Sequence, residues 1–201
     1  MGKITLTQDN TPLRQMISGL DEGISHFNLL FYNTDKPPLG SYGTSDTVGT
    51  DIIPARELVN AENFKPIGYT DLAIGVSSSV RMKSGRFYHL KQLDIDQNLG
   101  SPTTFINTIE KIVDGMRGNH EVGSRVEGFL VNSGSGIHYY ESGLLTEKGW
   151  QAWIEKAQNV KEVDTTWTNL SSTRGFSTLR ISATKQKPVS PVVFCRFSYK
   201  E

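Results

Sequence analysis

The sequence predicts an α+β fold, mixed sheets with flanking helices. Three observations carry this. Strand and helix patterns are interspersed, several extended segments are joined by short turns that make hairpins, and few connections have the length of a parallel crossover. Thr11-Pro12 reads as an N-cap followed by proline in the first helical turn, with Leu13, Met16, Ile17 and Leu20 on one face. His26 to Tyr32 reads as a strand. Residues 35–55 are dense in Gly, Pro, Ser and Thr without an apolar period, which predicts a long loop. Leu72, Ile74 and Val76 then alternate with small residues, Lys83 to Arg86 supplies a turn, and Phe87 to Asp96 continues extended, together a hairpin. Ser101-Pro102 starts a helix carrying Phe105, Ile106, Ile109, Ile112, Val113 and Met116 at helical spacing, ending near Gly118. Glu127 to Asn132 and Ile137 to Glu141 read as strands around a Ser-Gly-Ser-Gly turn. Thr146 caps a further helix whose Trp150, Trp153, Ile154 and Ala157 form one stripe. The final strands are Ser177 to Ala183 and Val192 to Tyr199.

Composition sets the class. Of 201 residues, 36% are hydrophobic and 21% charged, too apolar and aromatic for a disordered chain, and neither collagen nor coiled coil. Without repeats or a clear linker, residues 1–201 read as one unit, an N-terminal lobe over 1–70 and a motif-bearing core over 71–201. The single cysteine, Cys195, excludes an internal disulfide and a thiolate-built metal site and reads as a small buried residue. A reducing compartment fits that usage. No run approaches the ~18 apolar residues of a membrane span, and the N-terminus lacks the apolar stretch of a secretion signal. The expectation is a soluble cytoplasmic protein with no membrane partner. Basic and acidic residues cancel, 21 of each, which argues against broad coating of nucleic acid. The last 41 residues nevertheless carry seven basic and three acidic side chains, so a polyanion is best met there.

Three segments could carry chemistry. In Leu93-Asp94-Ile95-Asp96, residues two apart on a strand share a face, so both carboxylates point one way while Leu93 and Ile95 anchor the other. That is a platform for hard divalent cations such as Mg²⁺ or Mn²⁺; taken alone, so short and common a motif is more often a strand running into a polar turn. In Ser133-Gly134-Ser135-Gly136-Ile137-His138, glycines let amides and hydroxyls approach an anion, and His138 shares a face with Tyr140. A phosphate could lie across this turn, or it is a plain hairpin with a hydrogen-bonded histidine. It is no Walker loop, because a strand follows and no Gly-Lys-Ser/Thr is present. Asp164, after Val160 and Val163, closes a strand or sits in a turn. Beyond it Arg180 and Lys187 could grip a triphosphate, or guard a solvated edge strand. His89 is expected to face the core and His120 to lie in a polar turn.

Taken in order, Leu93-Asp94-Ile95-Asp96, Ser133 to His138 and Val163-Asp164 resemble the three motifs of the archaeo-eukaryotic primase superfamily, whose members include primase-polymerases. The resemblance covers about residues 70–190. A following motif of that family is met only loosely by Arg180 to Lys187, which departs at Ser182 and Ala183 and lacks the asparagine. The resemblance implies an RRM-like catalytic module and a metal-dependent nucleotidyltransferase that makes primers or extends 3′ ends on single-stranded DNA. Asp94, Asp96 and Asp164 would be ligands of two Mg²⁺ or Mn²⁺ ions. Ser133, Ser135 and His138 would contact the phosphates of a nucleoside triphosphate, which Arg180 and Lys187 would neutralise. Tyr139, Tyr140, Trp167 and Phe176 are candidate stacking platforms for template bases. A helicase or other replication protein would deliver DNA to so weakly charged a chain. The rival readings are a non-catalytic nucleic-acid-binding module of the same fold and a metal-dependent nuclease.

Overall fold

The computed structural model of the chain describes residues 3–33, 47–65, 72–95, 102–116, 125–134, 136–184 and 188–200. Strands are set by apolar and β-branched runs bounded by turn residues. They are β1 (Lys3–Gln8), β2 (Ile24–Tyr32), β3 (Thr47–Pro54), β4 (Ala73–Met82), β5 (Phe87–Ile95), β6 (Val126–Asn132), β7 (Ile137–Leu145), β8 (Thr178–Arg180) and β9 (Val192–Lys200). All belong to one sheet, ordered β1-β9-β6-β7-β5-β4-β2-β3, with β8 paired to β4, and each of these pairings is antiparallel. Burial follows position in that order. Central β4 is buried on nearly every side chain, β9 alternates exposed and buried, and edge strand β3 is mostly exposed.

Among the described residues four helices accompany the sheet: α1 (Leu13–Ser18), α2 (Pro102–Met116), α3 (Glu147–Ala157) and α4 (Thr165–Arg174). A 3-10 stretch over Ala55–Phe64, kinked at Asn60, packs with α1 and against β2 and β3. α3 begins where the sequence predicts, its Thr146 Oγ1 accepting from the Gly149 amide at 3.2 Å, and its stripe of Trp150, Trp153, Ile154 and Ala157 is buried. α2 buries Ile109, Ile112, Val113 and Met116.

The structure corrects four local expectations. Residues 47–54 within the expected loop form β3, held by its ladder to β2; residues 34–46 lie outside the described residues. The strand expected over Ser177 to Ala183 shortens to Thr178–Arg180. α1 is capped by Pro12 without a side-chain bond, because the Thr11 amide turns back to Asp9 Oδ1 at 2.7 Å. Asp164 closes no strand: it caps α4, a Thr- and Ser-rich helix without the apolar period that would have announced it. His89 and Cys195 are buried as expected, and burial pushes the Cys195 thiol up to about 12.

Candidate active site

Side chains alternate along β5. His89 and Lys91 face α3, where the Trp150 ring stacks on His89 with centroids 4.7 Å apart and Trp153 lies 5.7 Å from Lys91 Nζ. Alternation turns Gln92 and Asp94 to the opposite face. Across the ladder the partner of Asp94 is His138 and that of Gln92 is Tyr140. Directly opposed residues of an antiparallel pair share a face, so the Asp94 carboxylate and the His138 imidazole project to the same side. Asp94 is half-buried and His138 buried.

Asp164 arrives from 70 residues further along the chain. Val163 bridges to Ile95, and the Asp164 amide donates to the Asp94 carbonyl at 2.9 Å. Its Oδ1 accepts the first free amides of α4, from Thr166 at 2.7 Å and Trp167 at 3.1 Å. One carboxylate oxygen is thus committed to the helix, at the positive end of its dipole, while the cap leaves Oδ2 uncommitted.

The turn between β6 and β7 lies beside this pair. The Ser133 amide donates to the Gly136 carbonyl at 3.0 Å, and the Gly134 amide to Asn132 Oδ1 at 2.8 Å. Gly134 has φ +94°, which favours glycine. A Cβ on Gly136 would stand 2.6 Å from the Ile95 carbonyl oxygen, so the turn rests directly on the end of β5.

Arg180 reaches the same turn from β8. It is buried, and its Nη2 donates to the Ser133 carbonyl at 2.6 Å; Nη1 donates to the carbonyls of Ser182 and, at 3.5 Å, Val189. Burial lowers its pKa, opposed by Tyr32 and Asp94 nearby.

The structure therefore brings Asp94, Asp164, Ser133, His138 and Arg180 to one end of the sheet. Asp96, Ser135 and Lys187 lie outside the described residues. Two groups that the sequence reading left aside join them. Tyr32 at the end of β2 has its phenol pushed up to about 12, by burial first, with Asp94 adding and Arg180 and Arg174 opposing. Arg174, the last residue of α4, is thereby in electrostatic reach of the cluster. No local pattern marks either residue: Tyr32 is brought here by sheet order and Arg174 by the course of α4.

The aromatic platforms are corrected. Tyr139 stacks on Phe197 at 5.0 Å and Tyr140 on Phe129 at 4.8 Å, both fully buried. Trp167 is buried with its indole N–H donating to the Thr178 carbonyl at 3.0 Å. None of the three offers a face to a base. Phe176 is half-buried.

Among the described residues no group of three or more His, Cys, Asp or Glu side chains is gathered as a metal site. Asp94 and Asp164, whose backbones meet here, carry hard oxygen donors of the kind Mg²⁺ and Mn²⁺ prefer, so the residue types present fit such an ion. No helix among the described residues is long and apolar enough to cross a membrane.

A family model described as archaeo-eukaryotic primase 1D-like matches residues 57–192, about two thirds of the chain. No curated protein and no solved structure matches it.

Proposed function

The chain belongs to the archaeo-eukaryotic primase family, and from that premise we propose that it is a metal-dependent nucleotidyltransferase, building or extending primers on single-stranded DNA from nucleoside triphosphates. The observation that supports this reading is the hydrogen bond from the Asp164 amide to the Asp94 carbonyl, which joins the backbones of two aspartates distant in sequence beside the Asp94–His138 pair.

Asp94, Asp164 and, from outside the described residues, Asp96 would hold Mg²⁺ or Mn²⁺, which when bound makes a 3′-hydroxyl more acidic and stabilises charge on departing pyrophosphate. The chain's own part is to position. α4 orients Asp164 through its two capping amides, and the β5–β7 ladder fixes the side of the sheet to which Asp94 and His138 point. The Ser133 hydroxyl at the turn would contact phosphate oxygens, with the His138 imidazole beside it. Ser135 and Lys187 remain part of the proposed nucleotide contacts, and a helicase or other replication protein remains the proposed means of delivering the template.

The test is primer synthesis and extension on single-stranded DNA with each nucleotide pool and Mg²⁺ or Mn²⁺. The Asp94→Ala, Asp96→Ala double variant is expected to lose more than about 100-fold of the activity while its circular dichroism is unchanged. Normal incorporation by the folded variant refutes the assignment. Shortening of the labelled strand by the unmodified chain favours the nuclease reading, and nucleotide binding without either outcome favours the non-catalytic module.

A further inference from the structure

We propose that Arg180 is a positioning residue rather than a triphosphate ligand: its guanidinium locks the Ser133–Gly136 turn against the end of β5, so that the turn is held ready for a nucleotide's phosphates. The role in nucleotide binding rests on the function proposed above; the lock itself does not.

A guanidinium is a planar fork of five donors. Here the fork is turned inward and spans three stretches of backbone, the turn at Ser133, the segment after β8 at Ser182 and the approach to β9 at Val189. An arginine that grips a triphosphate holds its fork toward the ligand; this one is 8% exposed and aimed at carbonyls. On the other side of the turn Gly136 lies so close to the Ile95 carbonyl that a Cβ would stand 2.6 Å from that oxygen. Arg180 on one flank and the end of β5 on the other thus set how the turn sits beside Asp94, one residue before Ile95. Lysine, with a single compact ammonium, cannot span the same three carbonyls.

Two readouts decide the matter. The first is amide hydrogen exchange in the ligand-free chain, which owes nothing to catalysis. Arg180→Lys is expected to reduce protection of the Ser133 amide by about 10-fold while the β1–β9 ladder is unchanged. Gly136→Ala pushes the turn from the opposite flank, and the two changes together are expected to be non-additive, because both act on one element. The second readout is titration with a nucleoside triphosphate and Mn²⁺, in which the charge-removing Arg180→Gln weakens binding about 10-fold with no change in its salt dependence. Unchanged exchange overturns the proposal. So does altered exchange combined with a shallower salt dependence of binding, which marks a direct phosphate contact. If the unmodified chain binds no triphosphate, the proposed function fails and exchange alone judges the lock. Should Arg180→Lys not fold, Gly136→Ala must by itself accelerate exchange over residues 182–184, on the far side of the guanidinium; no effect there sinks the proposal.

Discussion

At the scale of single residues, Asp164 has an observed task and a proposed one. Oδ1 closes the first turn of α4, and the carboxylate is the proposed metal ligand. The two roles separate by substitution. Asp164→Asn and Asp164→Ser keep a side-chain oxygen for the cap and are expected to leave stability within a few tenths of a kcal/mol. Asp164→Ala removes the cap and is expected to cost about 1 kcal/mol. All three remove the carboxylate, so on the proposed function all three are expected to lose nucleotidyl transfer. Urea denaturation beside the extension assay checks the split, and an active Asp164→Asn would take the carboxylate out of the chemistry.

Between elements, polar groups on the face of β5 opposite Asp94 tie it to β7 and, through His89, to α3. Lys91 Nζ donates to Glu141 Oε1 at 2.5 Å, the Tyr139 hydroxyl donates to Glu141 Oε2 at 2.9 Å, and both charged side chains are buried. His89 bonds Glu147 on α3 through Nε2 at 2.8 Å and Ser78 through Nδ1 at 3.1 Å. A buried pair is balanced only while both partners remain. Glu141→Ala strands the Lys91 charge and is expected to cost about 3–5 kcal/mol in urea denaturation. Lys91→Met with Glu141→Leu, which removes both charges, is expected to recover most of that loss. An equal loss in the double variant would show that the pair adds stability outright.

For the whole molecule, the charge balance governs how DNA is met. The chain has no net charge, and Tyr139, Tyr140 and Trp167 are committed to the core rather than to stacking on bases. It is expected to hold single-stranded DNA no tighter than about 1 μM at physiological salt, with a shallow dependence on salt concentration, measured by fluorescence anisotropy. Nanomolar binding by the chain alone would remove the need for a delivering partner.

Taken by itself, the sequence determined what depends on neighbours along the chain. The helical stripes of α2 and α3, the hairpin of β4 and β5 and the alternation that sends Asp94 away from Leu93 and Ile95 are local consequences of period, turn chemistry and capping. β3 and α4 escaped it because one is an edge strand held by pairing to β2 and the other lacks an apolar period. Sheet order, by contrast, was decided only in three dimensions. Placing β7 between β5 and β6 sets His138 opposite Asp94, and the bridge from Ile95 to Val163 carries in Asp164. The same packing turned Tyr139, Tyr140 and Trp167 into core, and aimed Arg180 at backbone rather than solvent. A side chain's type limits the partners it can take. Which partner it meets is fixed by contacts between segments dozens of residues apart, and no local pattern encodes those.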